Sequence, residues 1–261
     1  MKVDLKEKVT LITGSAGAIG RATAEVFAAN GAKVVVSDID EAKARSTAAE
    51  IPGALPLRLD VSSEADVSEG IAWVHSHFGR IDILVNNAGI NTAKHRVTLD
   101  EFPAEEWDKI MAVDLRGLFL TSRAVSAIML RQGGGRIVNI SSILGVVPAR
   151  LSCAFTAAKA GVVHLTRTMA IELGSRGVLT NCVAPGSILM AGTEAYFYGK
   201  DAVKPEWGKR LLAHVPLGRP GTVEEVANCI LFLAAPESSY LNGHTLCVDG
   251  GWSAGGFLRD F

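Results

Sequence analysis

The sequence predicts a doubly wound α/β fold: a parallel seven-stranded sheet, in a single domain, with helices on both faces. Three observations carry this reading. Short β-branched runs alternate with helix-length segments along the whole chain, and a glycine cluster separates the first run from the first helical segment. The runs also stay apolar from end to end, as strands buried on both faces do, rather than alternating polar with apolar. Right-handed crossovers turn such an alternation into one sheet covered on both sides.

In chain order, the first strand is KVTLIT (8–13), followed by a helix in AIGRATAEVFAAN (18–30). KVVVSD (33–38) and ALPLRLD (54–60) are the second and third strands, and SEADVSEGIAWVHSHF (63–78) is the next helical segment. IDILVNN (81–87) leads to a long helical tract over 105–131, and GRIVNISS (135–142) to a helix in FTAAKAGVVHLTRTMAIELG (155–174). GVLTNCVAP (177–185), the helix VEEVANCILFLAA (223–235) and HTLCVDG (244–250) complete the series. The runs have about the length of buried strands, and the helical segments the length and amphipathic spacing of surface-packed helices. Two segments break the rhythm. Residues 91–104 and 187–215 exceed the roughly 2 to 6 residues of an ordinary βα connection, and the second is read as a lid. No internal repeat or low-complexity linker interrupts the chain.

The 261 residues are 48% hydrophobic and 20% charged, enough for one self-sufficient core. A net charge of −1 provides no basic field for nucleic acid or an anionic membrane. The start moves directly from MKVDLKEK into the first strand, without the apolar stretch of a secretory leader. No run approaches the roughly 18 apolar residues of a membrane span. The expected location is cytoplasmic. Cys153, Cys182, Cys229 and Cys247 are far apart and read as small buried hydrophobes of a reducing compartment; His75 and His77 point to different helix faces. No metal site is expected.

The stretch VTLITGSAGAIGRATAEVF is the most informative. Gly14 permits a tight turn, Gly17 leaves the backbone uncovered, and Gly20 lets the helix approach the sheet, so that free N–H groups at the helix start face a pyrophosphate. Glycine-rich turns are weak signals alone. Here the second strand ends at Asp38, about 20 residues on, where a carboxylate accepts both hydroxyls of an adenine ribose. The same charge repels a 2′-phosphate, and Gly17, Ser37 and Ile39 offer no cation to hold one. The residues therefore predict NAD(H) rather than NADP(H), in a Rossmann-type site; a strand-end cap is the structural alternative for Asp38.

These features occur with LDVS (59–62), NNAG (86–89), NISS (139–142), Lys159 and APG (184–186). In that order and spacing the chain resembles the short-chain dehydrogenase/reductase family over essentially its whole length. The resemblance implies a nicotinamide cofactor across the carboxyl ends of the strands and a homotetramer, or sometimes a dimer. It implies a cofactor set of Gly14, Ser15, Gly17, Ala18, Ile19 and Gly20 at the first turn, Asp38 and Ile39 at the adenosine ribose, and Asp60 and Val61 at the adenine. Asn87, Ala88 and Gly89 would line its central stretch, with Lys159, Pro185, Gly186 and Ile188 toward the nicotinamide. In the family a serine orients the substrate oxygen, a tyrosine exchanges the proton, a lysine assists that tyrosine and holds the ribose, and an asparagine supports a water chain. Ser142 and Lys159 match the serine and the lysine.

Five positions depart from the pattern. Phe155 stands where the tyrosine is expected and Asp114 where the asparagine is expected, so the implied catalytic set reads Ser142, Phe155, Lys159 and Asp114. Gly17 and Ala18 replace the usual pair in the first turn, and Met190 replaces a threonine. A phenyl ring cannot donate a proton, and a positioned acid contributes about 10²- to 10⁴-fold. Three explanations stay open: a deliberate substitution that blocks turnover; a divergent enzyme whose proton comes from water, Lys159, Asp114, Tyr196 or Tyr198; and a non-catalytic NAD(H)-binding sensor or partner subunit. In the divergent case a carboxylate at 114 is expected to pair with Lys159 and feed a water relay; a solvated helix carboxylate is the structural alternative. A nucleotide-sugar epimerase would require a longer chain.

The surface facing the nicotinamide is expected to include Leu144, Arg150 and Cys153, the loop residues Asn91, His95 and Arg96, and the lid residues Glu194, Tyr196, Phe197, Tyr198 and Trp207. This mixed polar and aromatic set suits a small polyol, sugar or hydroxy acid better than a steroid. The AYFYG run reads equally as lid packing. The glycine-flanked tail GGWSAGGFLRDF is a candidate for contact with a neighbouring subunit.

Overall fold

The computed structural model describes residues 2–91 and 95–255. Seven strands, β1 (Val9–Thr13), β2 (Lys33–Asp38), β3 (Leu55–Arg58), β4 (Ile83–Asn86), β5 (Gly135–Ile140), β6 (Val178–Pro185) and β7 (Thr245–Val248), form one sheet in the order β3-β2-β1-β4-β5-β6-β7. All neighbouring strands are parallel. The order reverses between β1 and β4, so their connections leave on opposite faces and a crevice opens beyond their carboxyl ends.

Alternation along each strand sorts the side chains into two cores. Ile12, Val34, Val36, Ile83 and Val85 pack on one face with Phe27 of α1 (Ala18–Ala29) and Ile230 and Leu231 of α9 (Val223–Ala234). Leu11, Val35, Leu84 and Ile137 pack on the other with Ile71 and Val74 of α3 (Glu64–Phe78), Val125 and Met129 of α5 (Leu118–Arg131) and Met169 of α6 (Cys153–Leu173). The period of two places successive side chains on opposite faces, and helices must cover both.

A buried polar chain joins the central strands to the second layer. Asn86 donates to Ser122 (2.8 Å) and to Asn139 (2.9 Å), Thr121 donates to Asn86 (2.6 Å), and Asn139 donates to Thr166 (2.9 Å). The first asparagine of NNAG and the asparagine of NISS therefore brace β4 and β5 against α5 and α6. Every member has a partner, which is the condition under which such a chain specifies packing rather than weakening it.

Three elements differ from the sequence expectation. A helix, α2 (Glu41–Glu50), follows β2, capped by the Asp40 side chain accepting from the Lys43 N–H; it buries only Ala44, Thr47 and Ala48, too small a stripe to register as an apolar period. The long tract over 105–131 is α4 (Ala104–Met111), a π-helical turn at Ala112–Gly117, and α5. The segment 187–215 holds α7 (Ala191–Thr193), a π turn at Glu194–Tyr198 and α8 (Pro205–Ala213). Residues 92–94 of the first long loop and 256–261 of the tail lie outside the described residues.

Candidate active site

The first turn is built for close backbone approach. Gly14 has φ +61°, and a Cβ there would lie 2.7 Å from Ala88 Cα. Any side chain would be both strained and in collision with the end of β4. Asn87 ties the two strand ends together: its side-chain amide donates to the Thr13 and Gly14 carbonyls (3.0 and 2.9 Å), while Thr13 Oγ1 accepts the N–H groups of Asn87 and Ala88 (both 3.1 Å). Gly17 precedes α1 in an extended conformation and no side chain caps the helix start, so its N–H groups face the crevice opened by the switch in strand order. Ala18 is exposed at that first turn and Ile19 is half-buried behind it. We expect Gly14→Ala to cost about 1 to 3 kcal/mol and to abolish nucleotide binding; urea denaturation matching the parent protein would contradict this.

Ser15 is fully buried. Its N–H donates to the Ser37 carbonyl (2.9 Å), its hydroxyl donates to the Ile12 carbonyl (2.8 Å), and the Ser37 N–H donates back to it (2.9 Å). It fastens the turn from within. Asp38, at the carboxyl end of β2, accepts the Asp40 N–H through Oδ1 (3.1 Å). Ile39 beside it is 61% exposed. Arg58 is the strand-register partner of Asp38, a cation that the sequence neighbours did not disclose, but it is hydrogen-bonded to Asp66. Asp60 Oδ1 is engaged by Ser62, and Val61 is buried.

The second half of the site assembles around Lys159. The π turn displaces Asp114 inward, where its side chain is wholly buried. Such a widened turn breaks the regular i→i+4 pattern and is common where a helix positions a reactive group. Asp114 Oδ1 accepts the Ile90 N–H (2.8 Å), and Oδ2 lies 3.0 Å from Lys159 Nζ. That contact is an ion pair by distance without hydrogen-bond alignment, so Oδ2 has no aligned donor. Lys159 Nζ donates instead to the Ile140 carbonyl (3.1 Å) and sits 5.6 Å from the Phe155 ring centroid. Gly89 closes the group: a Cβ there would meet Asp114 Oδ2 at 3.1 Å and Lys159 Nζ at 3.2 Å.

Phe155 and Lys159 are one turn apart on α6, so both project to the same side. Ser142 follows β5 and is partly exposed; its hydroxyl accepts the Leu144 N–H (3.1 Å). The adjacent Ser141 points the other way and donates to the Lys159 carbonyl (2.8 Å), fixing α6 against β5. Nearby Cys182 is pushed up to about 11, chiefly by burial, and stays a neutral thiol. At the end of β6, a Cβ on Gly186 would lie 2.7 Å from Asp249 Cα, so β6 and the chain after β7 touch there. Ile188 is buried in the core and bridged to Gly221.

The substrate-side residues divide. Cys153 opens α6, half-buried; Leu144 is half-buried, and Arg150 is exposed and has no ion pair among the described residues. His95 is hydrogen-bonded to Glu106. The aromatic run packs on itself: the Tyr196 and Phe197 ring centroids are 4.9 Å apart, and the Lys204 ammonium lies 4.4 Å from the Trp207 ring centroid. The Tyr198 hydroxyl hydrogen-bonds Ser187, next to Gly186, and burial raises the Tyr198 pKa. Sequence reasoning missed Thr13, Ser141 and the Ser187 contact, because each acts through a partner distant in sequence.

A family model described as Enoyl-(Acyl carrier protein) reductase matches residues 14–253. The chain belongs to the short-chain dehydrogenase/reductase family. It is 40% identical over 252 residues to the 3-oxoacyl-[acyl-carrier-protein] reductase FabG of Thermotoga maritima, covering 95% of this chain and 98% of that protein. It is 37% identical over 252 residues to the 2-(R)-hydroxypropyl-CoM dehydrogenase of Xanthobacter autotrophicus, covering 95% and 99%. The crystal structure of gox2181 superposes with a TM-score of 0.91 at 33% identity, covering 97% of this chain and 98% of that one. The family's proteins with such names are oxidoreductases of secondary alcohols and ketones. Among the described residues, no helix is long and apolar enough to cross a membrane and no group of three or more His, Cys, Asp or Glu side chains is placed to hold a metal.

Proposed function

We propose that this chain is an NAD(H)-dependent oxidoreductase of a small secondary alcohol or ketone, slowed at its proton-transfer step by Phe155. The observation that carries the reading is the convergence of the bare Gly14 turn, Asp38, Ser142 and Lys159 along the carboxyl ends of one parallel sheet. The cradle fits a dinucleotide: the missing side chains of Gly14 and Gly20 let the turn close against Ala88 and Asn87, and the free N–H groups of α1 suit a pyrophosphate. Gly14, Gly17, Ala18, Ile19 and Gly20 would hold the pyrophosphate, with Ser15 shaping the turn. Asp38 and Ile39 would hold the adenosine ribose, Asp60 and Val61 the adenine, and Asn87, Ala88 and Gly89 the middle. Lys159 would hold the second ribose, and Pro185, Gly186 and Ile188 would border the nicotinamide. Bound there, the nicotinamide supplies or accepts the hydride.

In this reading the Ser142 hydroxyl orients the substrate oxygen. The Lys159 ammonium, held by the charge of Asp114 and by its hydrogen bond to the Ile140 carbonyl, keeps N–H groups for the cofactor. Phe155 preserves ring packing but provides no proton, so protons reach the substrate oxygen from water. The names of the relatives favour a secondary alcohol or ketone. The mixed lining by Leu144, Arg150, Cys153, His95, Tyr196 and Trp207 favours a polyol, sugar or hydroxy acid. Residues 187–215 act as the lid. A cytoplasmic homotetramer fits the exposed apolar surface of the second helix layer, where Phe119 is 44% and Ile171 82% exposed.

NAD is favoured over NADP because Asp38 opposes a 2′-phosphate and Arg58, the nearest strand-register cation, is occupied by Asp66. Calorimetry is expected to show NAD binding about 30-fold tighter, or about 2 kcal/mol, with most of the difference removed by Asp38→Ala. Tighter binding of NADP by the parent protein refutes the cofactor assignment. A second reading, a non-catalytic NAD(H)-binding sensor or partner subunit, is favoured by Phe155 alone. It predicts cofactor binding without turnover even when a phenol is restored.

A further inference from the structure

Two of the departures from the family pattern, Phe155 and Asp114, meet at one cation. Lys159 Nζ lies 3.0 Å from a carboxylate oxygen on one side and 5.6 Å from the centroid of a phenyl ring on the other. Both charged side chains are removed from solvent, with side-chain exposures of 6% for Lys159 and 0% for Asp114. Water therefore screens neither of them, and their mutual field dominates what the cation can do to a neighbour.

The carboxylate is fixed rather than incidental. Its Oδ1 is held by the Ile90 N–H, its backbone by the π turn, and its position by Gly89, whose missing side chain gives both charges room. An amide at 114 would accept from Ile90 equally well and carry no charge. The structure therefore offers no backbone reason for an aspartate over an asparagine. The difference between them is electrostatic.

We propose that Asp114 is a positioning residue that commits the Lys159 ammonium to holding the cofactor and cancels its field at position 155, so that the aspartate and the phenylalanine form a matched pair. The inference rests on the functional reading only in that Lys159 faces the cofactor; the electrostatic coupling itself is a property of the protein alone. A lone ammonium beside a phenol favours the phenolate and so prepares it for proton exchange. With a carboxylate against that ammonium the pair is close to neutral, and a phenol gains little. Where residue 155 has no hydroxyl, nothing is lost by neutralising the cation, and a buried charge that would otherwise be unpaired acquires a partner.

Other ionisable groups facing this turn do not replace Asp114. Glu106 of α4 is hydrogen-bonded to His95, and Arg116 of the π turn is directed to the Ser62 carbonyl and Glu64. Cys182 of β6 is neutral, and Cys153 opens α6 itself. Asp114 is the carboxylate in contact with Lys159 among the described residues.

The test is a near-ultraviolet phenolate titration of the cofactor-free protein, comparing Phe155→Tyr with Phe155→Tyr/Asp114→Asn. The native protein and Asp114→Asn are the respective baselines, which cancel Tyr196, Tyr198 and Tyr240. Removing a negative charge within about 4 to 6 Å of the cation lowers the midpoint of the introduced phenol by about one pH unit. The sign follows from charge: Asp114 disfavours the phenolate, so the single variant ionises at higher pH and the double variant at lower pH. The alkaline limb of the rate profile for alcohol oxidation shifts in the same sense. If Asp114→Asn does not fold in this background, Asp114→Ser removes the same charge and replaces it. Equal midpoints, or a higher midpoint without the carboxylate, overturn the proposal. A shifted midpoint in a protein that neither binds NAD nor oxidises alcohols upholds the coupling and refutes the proposed function, so the two failures are distinguishable.

Discussion

Phe155→Tyr is expected to raise turnover toward the roughly 10²- to 10⁴-fold that a positioned acid or base contributes, with the full gain at neutral pH reached only when Asp114→Asn is added. Secondary alcohols offered with NAD, and the matching ketones with NADH, are the assay. The ring already sits one helical turn from Lys159, and Ser142 lies at the neighbouring strand end. Only an oxygen is missing from the set. Because Asp114 stays in place, the gain should be greatest at alkaline pH. KM for the cofactor should change little, since Phe155 is not among the groups holding it in our reading. A variant that binds NAD as before but turns over none of the panel would favour the sensor reading.

Lys159→Met is expected to cost about 3 to 5 kcal/mol of stability, the usual penalty for leaving one partner of a buried pair uncompensated. The loss should appear as a lower denaturant midpoint with little change in slope. It should be largely recovered in Lys159→Met/Asp114→Asn, because removing both charges leaves no buried ion without a partner. The double variant would still bind NAD weakly, lacking the ammonium. If the single and double variants were equally unstable, the pairing of Asp114 with Lys159 would contribute nothing to folding.

Much of this site could be read along the chain because its groups report on local backbone geometry. Gly14 is legible as glycine because a strand-to-helix turn needs a positive φ there, and Phe155 and Lys159 because one helical turn joins them. The pairing of Asp114 with Lys159 was one of two expectations for a carboxylate at the position that the family resemblance puts near the lysine, and the structure places them 3.0 Å apart. The substrate side was less legible. His95, Tyr196 and Trp207 were grouped as substrate contacts by loop membership, and the structure adds partners that the sequence did not disclose: His95 bonds Glu106, Tyr196 meets Phe197 edge to face, and Trp207 lies under Lys204. Loop side chains choose partners by local packing, which leaves no period in the sequence.

By itself the amino-acid sequence determined the strand-and-helix alternation, the parallel sheet and the glycine turn, since these follow from apolar periodicity and backbone sterics over a few residues. The register that sets Arg58 beside Asp38, the inward turn that buries Asp114, and the bracing of β4 and β5 by Asn86 and Asn139 were decided only in three dimensions. Each of these depends on hydrogen bonds and charges between segments tens of residues apart, whose energies exist only once the sheet has brought the partners together.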